Sequence, residues 1–246
     1  FHYNMPEHAW PYALPRDVVE KLHVRKYGAH GTSHRFIWRA TSEFLGGDVH
    51  KLVSLHLGSG ASLCAIEDGK CMDTTMGLTP LDGLIMGTRC GTLDPATVFF
   101  LSREGGYSID EIDTMMNKQS GMLAVSGVSS DSRDIQAGAE NGDENCKMAL
   151  EMFYYRTAQL TSEMVCSMEG VDTMVFTAGI GENSAEMRQG VADRLAWLGV
   201  QIDPELNATR SGDPRVISTP DSKIRVLVVP TNEEYMIALD VAELLG

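Results

Sequence analysis

Short apolar runs that stop at glycine alternate along this chain with longer stretches whose apolar positions recur every three to four residues. Residues 51–57 read as a strand running into Gly58-Ser59-Gly60. Residues 62–66 and 70–74 read as a hairpin around Glu67-Asp68-Gly69, whose Asp-Gly step suits a tight turn. Residues 173–177 and 224–229 are two further apolar strands. Helical spacing predicts a helix over 34–44 stopped by Gly46-Gly47, one opened by Asp94-Pro95 and running to Leu101, and one over 108–118. A long helix spans about 143–168 with Phe153, Thr157, Leu160, Met164 and Met168 on one stripe. Asn183 and Glu186 have the spacing of a cap and its reciprocal acid, ahead of Met187, Val191 and Leu195, with Gly199 as the stop. Pro230-Thr231-Asn232 is a turn, and 233–245 a closing helix. Residues 1–27, with Pro6, Pro11 and Pro15, are predicted irregular. Strands and helices alternate without a repeat, which predicts an α/β fold.

Composition narrows the function classes. The chain has 246 residues, enough for a sizeable core, and no apolar run long enough to span a bilayer. Its formal charge is −14, with Lys and Arg scattered, which excludes nucleic acid and an anionic membrane as main partners. An anionic ligand must therefore be held by a few placed cations and backbone N–H groups. Five cysteines without a CxxC pair predict a reducing, cytoplasmic setting. Phe1-His2-Tyr3-Asn4 is neither a signal peptide nor a start, and reads as the cut end of a longer chain.

Three places share one design, an apolar strand followed by glycines and polar groups. They are His56-Leu57-Gly58-Ser59-Gly60-Ala61-Ser62, Ala178-Gly179-Ile180-Gly181-Glu182-Asn183-Ser184, and Pro230-Thr231-Asn232-Glu233-Glu234. Glycines let backbone N–H groups approach an anion, and ligands of open α/β sheets collect beyond strand C-termini. Each turn alone is also a common structural device, and Gly179-x-Gly181-x-x-Ser184 is an imperfect dinucleotide fingerprint. Arg89, in Met86-Gly87-Thr88-Arg89-Cys90-Gly91, sits in a stretch almost free of charge. It is read either as a clamp on phosphate or carboxylate, or as half of a buried ion pair. His30 and His34 have the spacing of zinc ligands, but the glutamate of a metalloprotease helix is missing, so His30 is read as a hydrogen-bond partner of an anion. The methionine stripe of the long helix is read as core or subunit contact, not a cofactor site.

Taken together, these segments resemble the acetate kinase family. Lys26-Tyr27-Gly28-Ala29-His30-Gly31-Thr32-Ser33-His34 resembles the family motif, in which the alanine is usually phenylalanine. The segments 56–62, 86–91, 126–134, 179–184 and 230–234 follow in the family's order and spacing, so the resemblance covers the whole chain. It implies an α/β fold of ribonuclease-H-like type, as in the actin, Hsp70 and sugar-kinase superfamily, with a mixed central sheet flanked by helices. It also implies that residues 1–233 are a C-terminal nucleotide- and phosphate-binding domain. Residues 234–246 would then form a closing helix that packs on an N-terminal domain lying before Phe1.

The same resemblance implies roles. His30 and Arg89 match the residues that contact and neutralise the phosphoryl group in flight. His56, Leu57, Gly58, Ser59 and Gly60 match the phosphate loop. Asp131, Ser132 and Arg133 match the segment beside the adenosine, as do Gly179, Ile180, Gly181, Glu182 and Asn183. Glu233 matches a carboxylate that binds Mg²⁺, with Mn²⁺ as a substitute, and Ala29 and Pro80 border the acyl pocket. The implied reaction is reversible phosphate transfer between ATP and acetate, in a cytoplasmic homodimer that contacts through this half. Ser59 stands where the family usually has asparagine, so phosphate contacts are expected to differ. Ala29 in place of an aromatic predicts a roomier pocket that takes propionate or larger acids. The catalytic aspartate of the family precedes Phe1, so the chain by itself is expected not to turn over. Propionate or butyrate kinase and a pyrophosphate-dependent enzyme are the near alternatives. A non-catalytic nucleotide-binding or dimerisation module is the alternative of another class.

Overall fold

The structure is a computed structural model and describes residues 1–245. After a 3-10 turn at His2–Asn4, helix α1 (Arg16–Leu22) interrupts the N-terminal segment that the prolines predicted to be irregular. Pro15 lies immediately before α1 rather than inside it, where its fixed φ does no harm. Helix α2 (Gly31–Phe44) leads into the meander β1 (Lys51–Leu57), β2 (Ala61–Glu67) and β3 (Lys70–Thr74). Asp68 and Gly69 both have positive φ, 47° and 80°, as the tight hairpin turn requires. Five helices follow: α3 (Ala96–Glu104), α4 (Ile109–Lys118), α5 (Gly121–Ser126), α6 (Ser132–Glu140) and α7 (Glu144–Ser167). Then come β4 (Thr173–Thr177), α8 (Ala178–Asn183), α9 (Ala185–Arg194), α10 (Pro204–Ala208), β5 (Arg215–Val216), β6 (Arg225–Val228) and α11 (Glu233–Leu245).

The six strands form one mixed sheet in the order β3-β2-β1-β4-β6-β5. β1, β4 and β6 are parallel neighbours, and β2, β3 and β5 run antiparallel to their partners. The three parallel strands therefore end on one edge, and the turns predicted to carry chemistry all leave from that edge. The fold is the α/β arrangement of the actin, Hsp70 and sugar-kinase type.

Two apolar layers cover the sheet, sorted by the two-residue period of the strands. Val53, Leu55, Leu57, Leu63, Met174, Phe176, Val226 and Val228 face the larger core, which α7 and α9 close with Phe153, Leu160, Met164, Met187 and Val191. The methionine stripe of α7 is thus core. Leu52, Cys64, Ile66, Val175 and Leu227 face the smaller core, closed by Ile37 of α2. On that second face β1 and β2 also present Ser54, His56 and Ser62, all buried, toward Ser33 and His34 of α2.

The cap of α9 lies one residue beyond the predicted one. Ser184 Oγ accepts from Met187 N–H at 3.2 Å, while Asn183 donates its amide to Gly179 O at 2.9 Å. The difference arises because 178–183 are themselves a short helix, and Asn183 is its last residue. Helix α11 lies on α2, joined by an Arg35–Asp240 ion pair and an edge-to-face Phe36–Tyr235 contact. Ile237, Val241, Leu244 and Leu245 on α11 are exposed. No helix among the described residues is long and apolar enough to cross a membrane.

Candidate active site

Helix α2 begins at a residue held in a conformation that L side chains rarely adopt. His30 has φ 58°, ψ 24°, and this left-handed step turns its ring toward the sheet edge. There it stacks on His56, with centroids 4.0 Å apart and 13° between planes. His30 Nδ1 and Ser62 Oγ share a hydrogen bond of 2.9 Å. Ser62 also bonds His34 Nε2 at 2.8 Å, and His34 Nδ1 bonds Ser54 Oγ at 2.9 Å. This buried chain of hydroxyls and imidazoles occupies His30 Nδ1, so the free nitrogen is Nε2. Burial is the main reason that His30 titrates low, at about 4, with His2 and Arg89 adding to it. His56 is pushed down to about 3, and His34 well below its ordinary value, again mainly by burial. All three rings are neutral at pH 7.

Arg89 reaches the same spot from a different element. Its loop is clamped by the start of α5, where Ser120 N–H donates to Thr88 O and Met122 N–H to Met86 O, each at 2.9 Å. Gly121, at φ 66°, cannot be replaced there, since a Cβ would lie 2.2 Å from Met86 O. The guanidinium is half-buried and has no carboxylate within ion-pair distance among the described residues. Its Nη1 touches Pro80 O at 3.3 Å and Met86 Sδ at 3.6 Å. The ion-pair reading of Arg89 therefore drops out. Gly60 measures the convergence: a Cβ added there would lie 3.4 Å from Arg89 Nη1 and 3.5 Å from His30 Nε2. A guanidinium, an imidazole and a glycine turn with Ser59 exposed at its tip thus face one small volume.

The turn at the end of β6 joins through Ser33, whose hydroxyl bonds His56 Nδ1 and Thr231 Oγ1, both at 2.8 Å. Glu233, the first residue of α11, is half-buried and engages no cation among the described residues. The 179–183 turn is adjacent as well, since a Cβ on Gly58 would sit 3.6 Å from that of Ala178. Above Gly179 there is open space. Glu182 points inward instead: its Oε1 accepts from Ala178 N–H at 2.8 Å and Thr231 N–H at 3.1 Å. It ties the turn after β4 to the turn after β6. Asp131 caps α6 and folds Arg133 back on itself, Nη2 to Oδ2 2.5 Å, with Arg133 88% exposed. Ala29 is half-buried beneath the site, its carbonyl accepting from His2 Nε2 at 2.9 Å. A surface cavity of about 320 Å³ lies between α2 and α11, lined by Phe36, Arg39, Asn232 and Tyr235.

Sequence reasoning missed Arg188. It is 2% exposed and carries no acid partner. Instead Nη1 donates to Gly181 O at 2.8 Å and Glu182 O at 3.0 Å, Nε to Asn207 Oδ1 at 2.7 Å, and Nη2 to Asn207 O at 2.6 Å. It braces the 179–183 turn from behind. The available signal was a cation beside Met187 on a face that returns to Val191.

The family model described as "Acetokinase family" matches residues 1–239. The chain belongs to the acetokinase family. Acetate kinase of Clostridium botulinum (strain Hall) is 49% identical over 246 residues, covering 99% of this chain and 62% of that relative. The chain thus spans about 62% of the length of the curated relatives it matches. The crystal structure of Porphyromonas gingivalis acetate kinase superposes with a TM-score of 0.95 at 44% identity, over 100% of this chain and 62% of that one. A propionate kinase from Francisella tularensis superposes at 0.91 with 41% identity, over 96% and 60%. Acetate kinase from Entamoeba histolytica does so at 0.92 with 30% identity, over 98% and 63%.

Proposed function

We propose that this chain supplies the nucleotide- and phosphate-binding part of a carboxylate kinase, which moves phosphate reversibly between ATP and acetate. The observation that carries the reading is the unpaired Arg89 guanidinium facing neutral His30 Nε2 across Gly60. Phosphoryl transfer asks a protein for positioning and charge neutralisation rather than for a strong nucleophile. Arg89 supplies a fixed positive charge for the equatorial oxygens, and His30 donates from Nε2 when Nδ1 accepts the Ser62 proton. Gly58 N–H is spent on Gly60 O at 3.2 Å, so Ser59 and Gly60 supply the backbone N–H groups beneath the phosphate, with the Ser59 hydroxyl as an added donor.

Glu233 suits Mg²⁺: it is a hard oxygen donor without a cation of its own, at the strand edge where the phosphates would lie. Glu233 would hold the ion, which when bound would supply neutralisation of the phosphate charge. Residues 131–133 and 179–183 would flank the adenosine, with Arg133 free to swing from Asp131 onto it. Ala29 and Pro80 would border the acyl group, and the small alanine favours propionate alongside acetate. The likeness to a propionate kinase supports that breadth. The exposed apolar residues of α11 would pack on a preceding domain. The exposed Met148 and Tyr155 of α7 would contribute to a homodimer contact in the cytoplasm.

The test is a hydroxamate assay of the gene product, expressed with all coding sequence in frame before Phe1. ATP or pyrophosphate is offered with acetate, propionate or butyrate. Acyl phosphate from ATP with acetate, and propionate within tenfold of it, is expected. Phosphorylation of none of the three acids by either donor would overturn the reading. The 246-residue chain alone is expected to be inactive in the same assay.

A further inference from the structure

Behind the His30 loop, three soft ligands meet with no role in the chemistry above. His2 Nδ1 lies 3.1 Å from Cys71 Sγ and 4.0 Å from Cys64 Sγ, and the two sulfurs are 3.5 Å apart. The three residues are 5%, 0% and 2% exposed. They come from separate elements: the N-terminal 3-10 turn, the α2-facing side of β2, and β3.

We propose that His2, Cys64 and Cys71 form a binding site for one thiophilic d10 metal ion, Cu⁺ or Zn²⁺. The circumradius of a triangle with those three sides is about 2.1 Å, close to the Zn–N distance of roughly 2.0–2.1 Å and Zn–S of roughly 2.3 Å. An ion at or just off the centre needs no large movement of any ligand. The imidazole is also set for ligation. Its Nε2 bonds Ala29 O at 2.9 Å, and a carbonyl only accepts, so the ring proton is on Nε2 and the Nδ1 lone pair faces the two sulfurs. A histidine whose second nitrogen donates to a backbone carbonyl is the usual outer-shell arrangement of a metal-bound imidazole.

Two sulfurs and one imidazole are soft donors, which select Cu⁺ or Zn²⁺ over Mg²⁺. Three ligands complete a trigonal Cu⁺ site, whereas Zn²⁺ would add a water. Both thiols give their protons to solvent as the ion binds; Zn²⁺ replaces both charges and leaves the site neutral, whereas Cu⁺ replaces one and leaves it at −1. No oxidant or reductant is consumed. Because Ala29 precedes His30, the ion would stiffen the loop that aims His30, and the site does not depend on the phosphate reading.

The test uses the reduced, metal-stripped protein, titrated without oxygen with Cu⁺ and separately with Zn²⁺ against a competing chelator, then desalted. One equivalent of at least one ion is expected to stay bound. It should be lost in Cys71→Ser, held at least tenfold more weakly in His2→Gln, and unchanged in Cys146→Ser, a buried cysteine outside the cluster. X-ray absorption of the loaded wild-type protein, which needs no variant to fold, should show two sulfurs with one nitrogen for Cu⁺, and two sulfurs with two nitrogen or oxygen neighbours for Zn²⁺. Release of both ions on desalting, retention undiminished by Cys71→Ser, or a shell lacking two sulfurs would overturn the site.

Discussion

Replacing Arg188 by Met tests how the 179–183 turn is held. The substitution roughly conserves volume but removes four hydrogen bonds, leaving Gly181 O, Glu182 O, Asn207 O and Asn207 Oδ1 without their donor. A buried acceptor stripped of its partner costs about 1–3 kcal/mol. Part of that is offset, because the guanidinium is no longer kept from water. Burial, with the nearby charge of Arg215 adding to it, lowers Arg188 to about 10, which still leaves it charged at pH 7. The expected net loss is about 3–5 kcal/mol, the upper end for breaking a buried hydrogen-bond network. A domain has about 5–15 kcal/mol in total, so the variant should fold but only just. With a urea slope of about 3 kcal/mol/M, the midpoint should fall by about 1 M or more, with the slope unchanged. Nucleotide affinity should fall as well, because Glu182 couples this turn to Thr231. Arg188→Lys should recover only part, since an ammonium cannot reproduce the planar fork. A midpoint shift under about 0.3 M, or full recovery by lysine, would refute the reasoning.

Gly60→Ala should weaken phosphate binding at least tenfold in calorimetry while leaving the melting temperature within about a degree, since its Cβ enters the cradle and not the core. Arg89→Lys should lower kcat of the complete enzyme about 10²–10³-fold with a smaller change in KM, as for loss of a transition-state charge contact; equal effects on both would place Arg89 in ground-state binding. His30, His34 and His56 all titrate below their ordinary value of 6.5 when folded. The unfolded chain therefore binds more protons than the folded one below about pH 6.5, so stability rises with pH there and is lost as pH falls toward about 4. His34→Gln should flatten this dependence by up to about 1.4 kcal/mol per pH unit, read as urea midpoints at pH 5 and 7.

β1, β4 and α11 were legible because apolar runs or helical spacing end at clear stops, and the observed bounds of these three match those read from sequence. α8 was not legible: AGIGEN has two glycines and no apolar period, and its helix is held by Glu182 from within and Arg188 from behind. α1, α5 and α6 are short or lie among residues with mixed patterns, and packing decides them. In the site, glycines and charges were legible singly from their spacing, and their convergence on one phosphoryl group was implied only by the family resemblance. The hydrogen-bonded chain through Ser54, His34 and Ser62 was not legible for another reason. Its members are polar residues at alternate positions of apolar strands and on the inner face of α2, and only the strand register shows that they meet. A polar residue recurring on the buried face of adjacent strands is the signal that would have found them.

On this reading Arg89, His30 and the 58–60 turn hold one phosphoryl group. A nitrogen-detected NMR pH titration of the His30 ring, with and without MgATP and inorganic phosphate, addresses it directly. Without ligand the ring should stay neutral down to about pH 4, as its burial dictates. With ligand, Nε2 should shift and the ring should take up its proton at higher pH, a response that Arg89→Ala weakens. A His30 ring that ignores both ligands in the wild-type protein would contradict the account.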